Sequence, residues 1–352
     1  MSEWKKTYLR DLIVIKNGKD HKKLKNGQYP VYGSGGIMRY ADSYLYDQES
    51  VLLPRKGTLN NIQFVTEPFW TVDTCYYTVV NRDKVLPYFL YCCLCKMDIQ
   101  SLNTGSAVPS MTFEKYNSIE VPLPPLSTQH RIATILSRYD SLIENYQKQI
   151  KLLEEAAQRL YKEWFIDLHF PGHENTNIID GVPEGWEKKS ITDVLEIKYG
   201  KDHKLLKEGT IPVYGTGGIM RYVEKSLFTG ESVLIPRKGS LNNIMLVGGT
   251  FWTIDTMFYS IPKENNVAKI VYFYLKGVDM YSFNIGAAVP SMTVNILSGM
   301  KLLVPNEDVK NKFETIASKY FIRMHSLQSQ LRLLTEARDR LLPKLMSGEI
   351  EI

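Results

Sequence analysis

The amino-acid sequence repeats itself at a distance of 182 residues. Tyr29–Tyr40 reads YPVYGSGGIMRY and Ile211–Tyr222 reads IPVYGTGGIMRY, ten identities in twelve positions. The offset of 182 also relates Trp4 to Trp186, Gly18 to Gly200, Arg55 to Arg237 and Asp73 to Asp255, and it slips to 181 near Pro109/Pro290. Solenoid repeats have periods of about 20–50 residues, so this period means two whole domains of one kind. A chain built this way can present one surface twice about a two-fold axis. Duplex DNA with two half-sites is the pseudo-symmetric ligand that matches it most naturally.

Composition adds loose bounds. With 352 residues, 44% hydrophobic and 23% charged, the chain reads as an ordinary globular protein of two or three domains. Its net charge of +5 suits a phosphate-bearing partner without requiring one. Cys75, Cys92, Cys93 and Cys95 all lie in the first repeat, and Cys75 is matched by Met257. A structural disulfide or zinc site would recur in both copies, so the expectation is reduced core thiols in a cytosolic protein. Met1–Lys6 lacks the apolar stretch of a signal peptide. The longest apolar run, Val85–Cys95, contains Pro87 and falls far short of the ~20 residues that span a bilayer. A cytoplasmic location with no membrane partner follows as the expectation.

Each repeat divides into a compact mixed half and a long helix. Runs such as Ser50–Leu53 and Cys75–Val80 read as strands between Gly, Asn and Pro punctuation, and Pro87–Met97 as a short buried helix. The second copy repeats this with Ser232–Ile235, Met257–Ile261 and Ile270–Gly277. After Pro124-Pro125, Ser127 is placed to cap a helix that runs to about Leu168. Its apolar seam reads Ile132, Ile135, Tyr139, Leu142, Tyr146, Ile150, Leu153, Ala157, Leu160 and Trp164, the spacing of a coiled coil. The second long helix starts at Asn306, with Glu307 and Asp308 in its first turn. Its seam is Phe313, Ile316, Tyr320, Met324, Leu327, Leu331, Leu334 and Leu341, and Pro343 and Gly348 are expected to end it. Two such stripes bury each other, and a two-fold relation makes the helices antiparallel. His173–Gly185, polar and containing Gly and Pro, reads as the linker into the second domain. The fold class is therefore mixed α/β (α+β): two similar domains and two long antiparallel coiled-coil helices in a pseudo-two-fold repeat.

Catalytic motifs are missing. Gly33–Met38 and Gly215–Met220 begin like G-x-G-x-x-G but end in Met, which argues against a dinucleotide site. There is no phosphate-binding G-x-x-x-x-G-K-[ST] loop. Leu123–Leu126 lacks the polar first residue and the aromatic of an amino-methyltransferase motif. The six histidines show no metal-ligand spacing. Asp20 and Glu49 are nuclease-type carboxylates, but no lysine follows Glu49 at the usual place. Catalysis by the chain is not expected, and no metal or cofactor site is assigned.

What recurs is a set of loops suited to phosphates and base edges. Lys19, His21 and Lys22 recur as Lys201, His203 and Lys204. Ser34, Gly35 and Gly36 recur as Thr216, Gly217 and Gly218, where glycine lets a phosphate approach backbone N–H groups. Arg39 recurs as Arg221, and Arg55, Lys56 and Thr58 as Arg237, Lys238 and Ser240. An arginine can fork onto guanine or clamp a phosphate. Asn60 and Asn61 recur as Asn242 and Asn243, suited to adenine edges, and Ser106 lies in a Gly105–Ser110 loop that recurs at Gly286–Ser291. Structural readings compete at each position. Gly-rich loops are often plain turns, the Asn pairs hold turns, Phe69-Trp70 and Phe251-Trp252 suit a core, Arg39 and Arg221 suit salt bridges, and Asp73 and Asp255 suit orienting a loop arginine or a turn.

With this layout the chain resembles the specificity subunit of type I restriction–modification systems over essentially all 352 residues. The stretches that carry the resemblance include Pro-Val-Tyr-Gly-Ser-Gly-Gly, Pro-Arg-Lys-Gly, Trp-Thr-Val-Asp-Thr and Ala-Val-Pro-Ser-Met-Thr. Further along come Lys-Glu-Trp-Phe-Ile-Asp, Val-Pro-Glu-Gly-Trp and Leu-Leu-Pro-Lys-Leu-Met-Ser-Gly-Glu-Ile. The resemblance implies a first target-recognition domain at 1–126 and a central spacer helix at 127–170. A second target-recognition domain with its linker follows at 171–305, and a C-terminal spacer helix at 306–352. It implies a non-catalytic chain that reads a bipartite site in double-stranded DNA. The helices would dock two adenine-methyltransferase subunits, which flip the target base, and restriction subunits join for cleavage. S-adenosylmethionine, ATP and Mg belong to those partners.

One feature departs from the family, whose two recognition domains often differ strongly. Here Glu49–Ile62 and Glu231–Ile244 share 12 of 14 positions. The half-sites are therefore expected to form an inverted repeat, a near-palindrome with an unspecified gap. The copies diverge at Tyr44–Gln48 against Ser226–Gly230 and at Thr66–Pro68 against Gly248–Thr250. Alternative readings are a sequence-independent duplex-DNA scaffold, a self-contained nucleic-acid-modifying enzyme and a scaffold that merely dimerises its partners.

Overall fold

The computed structural model describes residues 4–103, 105, 108–284 and 290–350. The chain forms two compact units, one of Met1–Gln147 with Gln328–Ile352, the other of Lys148–Leu327. The unit boundaries at 147/148 and 327/328 fall within the two long helices, so each unit contains part of both.

In unit 1 the strands are β1 Lys5–Tyr8, β2 Ile13–Lys16, β3 Tyr29–Gly33, β4 Gly36–Ala41, β5 Ser50–Pro54, β6 Gln63–Val65, β7 Trp70–Thr71 and β8 Cys75–Val80. Then come α1 Pro87–Cys95, α2 Phe113–Asn117, β9 Glu120–Leu123 and α3 Leu126–Tyr161. One antiparallel sheet has the order β2-β8-β5-β6. A second has β3 between β4, antiparallel, and β7, parallel. Strand β5 is buried along its whole length, as its apolar Val51-Leu52-Leu53 requires, and its one polar side chain is satisfied because Ser50 Oγ donates to the Thr78 carbonyl at 2.8 Å. Pro87 opens α1, where its missing N–H costs nothing. Leu53, Phe89, Leu90 and Tyr116 form the main core with Ile132 and Leu136 of α3 and Leu345 and Met346 near the chain's end.

Unit 2 repeats the plan. After a small hairpin, β10 Ile178–Ile179 and β11 Val182–Pro183, come β12 Glu187–Ser190, α4 Ile191–Val194, β13 Leu195–Tyr199, β14 Glu208–Gly215 and β15 Gly218–Val223. Next are β16 Phe228–Thr229, β17 Ser232–Pro236, β18 Met245–Val247, β19 Thr250–Thr253 and β20 Met257–Pro262. The unit closes with α5 Ala268–Lys276, α6 Val294–Gly299, β21 Lys301–Val304 and α7 Glu307–Ser347. The sheet β13-β20-β17-β18 matches β2-β8-β5-β6, and β15-β14-β19-β16 matches β4-β3-β7 with β16 added where unit 1 has a single bridge, Tyr46 to Phe69.

Within each unit the long helices run antiparallel. In unit 2, Gln149 accepts from Arg323 at 3.3 Å and Tyr161 meets the Phe313 ring at 6.5 Å, so the numbering rises on α3 as it falls on α7. In unit 1, Asp140 of α3 pairs with Arg338 of α7 at 2.9 Å. Asn306 caps α7 as expected, its Oδ1 accepting from Val309 N at 3.1 Å.

Several expectations are corrected. Ser127 is not the cap of α3: the Pro125 carbonyl accepts from the Thr128 and Gln129 amides, which starts the helix two residues earlier, at Leu126, and puts Ser127 in its first turn. The α3 seam is also one residue out of phase in its first half. Steps of four and three from Ile132 lead through Leu136 and Tyr139 to Ile143, which is 9% exposed, whereas Leu142 is 45% exposed. Pro343 does not end α7. The helix runs through it to Ser347, and Gly348, at φ +72°, makes the stop. Beyond Tyr161, α3 continues as a π-turn, Lys162–Ile166, and Leu168 at φ +60° then breaks it. His173–Gly185 is no bare linker, since it holds a 3₁₀ turn and the β10–β11 hairpin.

Candidate nucleic-acid interface

In unit 1 the recurring loops converge on the turn after β7. Arg55 and Lys56 donate their amides to the Thr74 carbonyl at 2.8 and 3.3 Å, and Arg55 Nη1 donates to the Asp73 carbonyl at 3.3 Å. The Asp73 backbone, not its carboxylate, thus orients the arginine. From the other side Lys19 N donates to the Thr71 carbonyl at 2.8 Å, and Trp70 Nε1 donates to the Lys19 carbonyl at 2.9 Å. Residue 18 must be glycine, because a Cβ there would lie 2.0 Å from the Val72 carbonyl oxygen. Phe69 is fully buried and Trp70 half-buried, so this aromatic pair holds core and loop together.

The Ser34-Gly35 segment is the two-residue tip of the β3–β4 hairpin, closed by Gly36 at φ +117°. Asn61 Nδ2 donates to the Ser34 carbonyl at 2.8 Å and ties this tip to the Arg55–Asn61 loop. Asn60 Oδ1 accepts from the Gln100 amide at 2.8 Å, and the Gly57 amide donates to the Pro109 carbonyl at 2.9 Å. Gly57 adopts φ +89°, which no other residue takes without strain. One knot of four loops results.

Unit 2 reproduces the knot with one shift of partner, at Asn242. Arg237 Nη1 donates to the Asp255 carbonyl at 3.2 Å, Asn243 Nδ2 to the Thr216 carbonyl at 2.6 Å and Trp252 Nε1 to the Lys201 carbonyl at 2.9 Å. Asn242 Oδ1 accepts from the Met280 amide at 2.8 Å, and the Gly239 amide donates to the Pro290 carbonyl at 3.0 Å. Gly200 is again obligatory, because a Cβ there would lie 2.0 Å from the Ile254 carbonyl oxygen.

The sequence candidates now separate by what their side chains do. Lys19, Lys22, Lys56 and Thr58, with Lys201, Lys204, Lys238 and Ser240, are exposed, as are the tip glycines Gly35 and Gly217. Gly36, Gly218, Ser34 and Thr216 complete the tips, half-buried. Arg55 and Arg237 are half-buried, each beside an aromatic ring, Tyr76 at 5.8 Å and Tyr199 at 5.2 Å. Four asparagines are committed internally: Asn60, Asn61, Asn242 and Asn243 hold the loops together. Among the described residues Arg39 and Arg221 form no salt bridge. Arg39 Nη2 donates to the Leu24 carbonyl at 2.9 Å and Arg221 Nη2 to the Leu206 carbonyl at 2.9 Å, which fastens the lysine loop to the hairpin. His21 and His203 are half-buried, and the Nδ1 of each is enclosed without a hydrogen-bond partner. Ser106 and Gly286–Val289 lie outside the described residues.

The nuclease carboxylates are accounted for. The Lys22 amide, donating to Asp20 Oδ1 at 3.0 Å, holds the Asp20 carboxyl below its ordinary 3.8, and Asp202 is held down by Lys204 in the same way. Glu49 pairs with Arg82 at 3.0 Å. Burial pushes the Cys75 thiol up to about 12, and Cys92 and Cys93 are buried as well, so these three side chains act as core apolar groups. Among the described residues no cluster of three His, Cys, Asp or Glu side chains is arranged to hold a metal, and no helix is long and apolar enough to cross a membrane.

Sequence reasoning missed one repeated feature. On β4, Ile37, Met38 and Tyr40 are exposed, and so are Ile219, Met220 and Tyr222 on β15. The duplication of I-M-R-Y was the available signal, but periodicity does not tell an exposed strand face from a buried one.

The fold is thus a duplicated mixed domain with one loop knot per unit and two long helices to which both units contribute. A family profile described as "Type I restriction modification DNA specificity domain" matches residues 1–155 and 183–327, and the chain belongs to that family. It is a specificity subunit of a type I restriction–modification system, a non-catalytic class. The MjaIX specificity subunit of Methanocaldococcus jannaschii is 25% identical over 352 residues, covering 88% of this chain and 79% of that protein. The HindI specificity subunit of Haemophilus influenzae is 20% identical over 77% of this chain and 79% of its own. In fold, the S subunit from M. genitalium aligns over 97% of this chain and 96% of its own, with a TM-score of 0.73 at 20% identity.

Proposed function

We propose that the chain reads a bipartite sequence in double-stranded DNA, one half-site per unit, and thereby directs methyltransferase and restriction subunits to it. The observation that supports this most is the repetition of the loop knot: the same arginine, lysine and hairpin tip are held by the same bonds in both units. Closely similar reading heads read related sequences. The half-sites are therefore inverted repeats of one another, separated by an unspecified gap.

In this reading residues 1–126 and 171–305 contact DNA, while 127–170 and 306–352 set the gap and dock two methyltransferase subunits. S-adenosylmethionine, ATP and Mg serve those partners, and the complex works in the cytoplasm. Exposed Lys19, Lys22, Lys56 and their copies hold phosphates, and Arg55 and Arg237 keep a guanidinium fork for a base or phosphate.

The test is selection from a pool of duplexes with a randomised core, using the full chain. Enrichment of a two-part inverted motif supports the reading. Binding with no enriched motif, and a steep fall in affinity with salt, would establish a sequence-independent scaffold instead.

A further inference from the structure

We infer that the β3–β4 and β14–β15 hairpins enter the DNA major groove and touch thymine methyl groups through Ile37 and Met38, and Ile219 and Met220; this rests on the DNA-reading function proposed above. The hairpins present an unusual surface. Ile37, Met38, Tyr40 and their three copies are between 38% and 58% exposed, on strands tied by Arg39 and Arg221 to the lysine-bearing loop of each unit. Clustered exposed apolar side chains mark contact surfaces, and this cluster occurs twice with identical residues.

The backbone is shaped to present it. In the β3–β4 pairing Val31 faces Arg39 and Tyr32 faces Ile37, so Met38 is the extra residue of a β-bulge. The second hairpin shifts at the same place, with Val213 facing Arg221 and Tyr214 facing Ile219. A bulge turns a side chain away from the ladder, a device found beside functional sites. Met38 lies over Gly33, where a Cβ would come within 2.8 Å of its Sδ, and Met220 lies over Gly215 at 2.4 Å. Glycine at the hairpin end therefore makes room for the methionine.

Charge chooses the occupant. Arg39 ties the hairpin to the loop that carries Lys19, Lys22, Lys23 and Lys25, all exposed, and the Asp42 amide on the strand's end donates to the Lys25 carbonyl at 3.1 Å. The acidic side chains of this region, Asp20 and Asp42, are exposed but are engaged locally, accepting from the Lys22 and Lys25 amides, and the four lysines outnumber them. An apolar ribbon edged by lysines matches a groove whose floor carries thymine methyls and whose walls are phosphates. A two-stranded ribbon fits the ~12 Å major groove. Arg39 and Arg221 then act as positioning residues that fix the ribbon against its lysine loop.

The experiment uses the full chain and the duplex that it selects from the randomised pool. Each thymine is replaced in turn by uracil, which lacks only the methyl. The wild type should lose about fourfold in affinity for each methyl that a hairpin covers. The Ile37→Ser/Met38→Ser variant should bind the selected duplex at least about tenfold more weakly, be indifferent to uracil in one half-site only, and keep its salt slope and its affinity for random duplex. Unchanged random-duplex binding shows that the variant is folded. If uracil is silent at every position, or if the variant discriminates like the wild type, the inference is overturned. A variant that loses self-association instead, with unaltered DNA binding, would make the face a protein contact and overturn it too. Failure of the wild type to select any sequence would refute the proposed function itself, a separate outcome.

Discussion

Replacing Lys269 with Met should destabilise unit 2 far more than a surface change does. The Lys269 side chain is 5% exposed, and its Nζ donates to Glu231 at 2.5 Å and to Glu314 at 2.7 Å. Glu314 Oε1 also accepts from Ser318, and Glu314 Oε2 is buried without a hydrogen-bond partner. Removing the cation leaves a carboxylate that is only 21% exposed with no counter-ion. Breaking a buried pair costs about 3–5 kcal/mol, and the 37% exposure of Glu231 lets water replace part of the lost bonding, so the expected loss is about 2–4 kcal/mol. Unit 1 shows that the charges are dispensable. By the offset of 181, Tyr88 stands for Lys269 and Ala133 for Glu314, while Glu49 turns to Arg82 instead. Removing both charges by Lys269→Met with Glu314→Leu should therefore recover stability to within about 1 kcal/mol of the wild type. The assay is urea unfolding read by hydrogen exchange of α5 and β17 peptides, with α1 and β5 as the internal control. A neutral Lys269→Met, or a double variant no better than the single one, would refute this reasoning.

Four further outcomes are expected. Arg55→Ala should cost about 1–3 kcal/mol in binding and relax one half-site if the fork reads a base. Arg39→Ala should instead loosen the lysine loop, seen as faster exchange over Lys19–Asn26, because its bonds go to Leu24 and Asn26. Ile143→Ala should cost about 2–5 kcal/mol of stability, whereas Leu142→Ala should cost less than about 0.5 kcal/mol; the reverse order in thermal unfolding would restore the sequence-derived seam. Acid should act on unit 2 first. Burial alone would raise the Glu264 carboxyl, but hydrogen bonds from Lys189 and Lys310 outweigh it and hold it below its ordinary 4.5. Its contribution is thus complete above that pH and fades as pH falls through the lower folded value. In unit 1 neutral Gln129, bonded to Leu86 and Lys84, occupies the place of Lys310. Intrinsic-rate-corrected protection at β12 should therefore fall below pH 4.5 before that at β1, and equal loss in both would count against the ion network.

Much of this was legible because duplication acts as an internal control. A segment that recurs at a fixed offset, such as Pro54-Arg55-Lys56-Gly57, must be a folded element, and the strands, α1 and the Asn306 cap followed from local chemistry. What stayed hidden depends on long-range geometry. From sequence the asparagines suit adenine edges or a turn alike, and only the bonds to Ser34 and Gln100 display the loop-holding role. Arg39 looked like a free cation or an ion-pair partner, because a backbone carbonyl 15 residues away leaves no trace in sequence. Leu142 and Ile143 are both apolar, and only the partner surface chooses between them. Pro343 signals a stop by rule, yet a last helical turn held by tertiary packing of Leu345 and Met346 overrides it.

The central claim is that near-identical heads read near-identical half-sites. Mapping methylated adenines across a genome in which this chain is the only specificity subunit tests it most directly. The account predicts two half-sites that are inverted copies, separated by a constant number of unspecified base pairs. A methylated motif with two unrelated halves would contradict it.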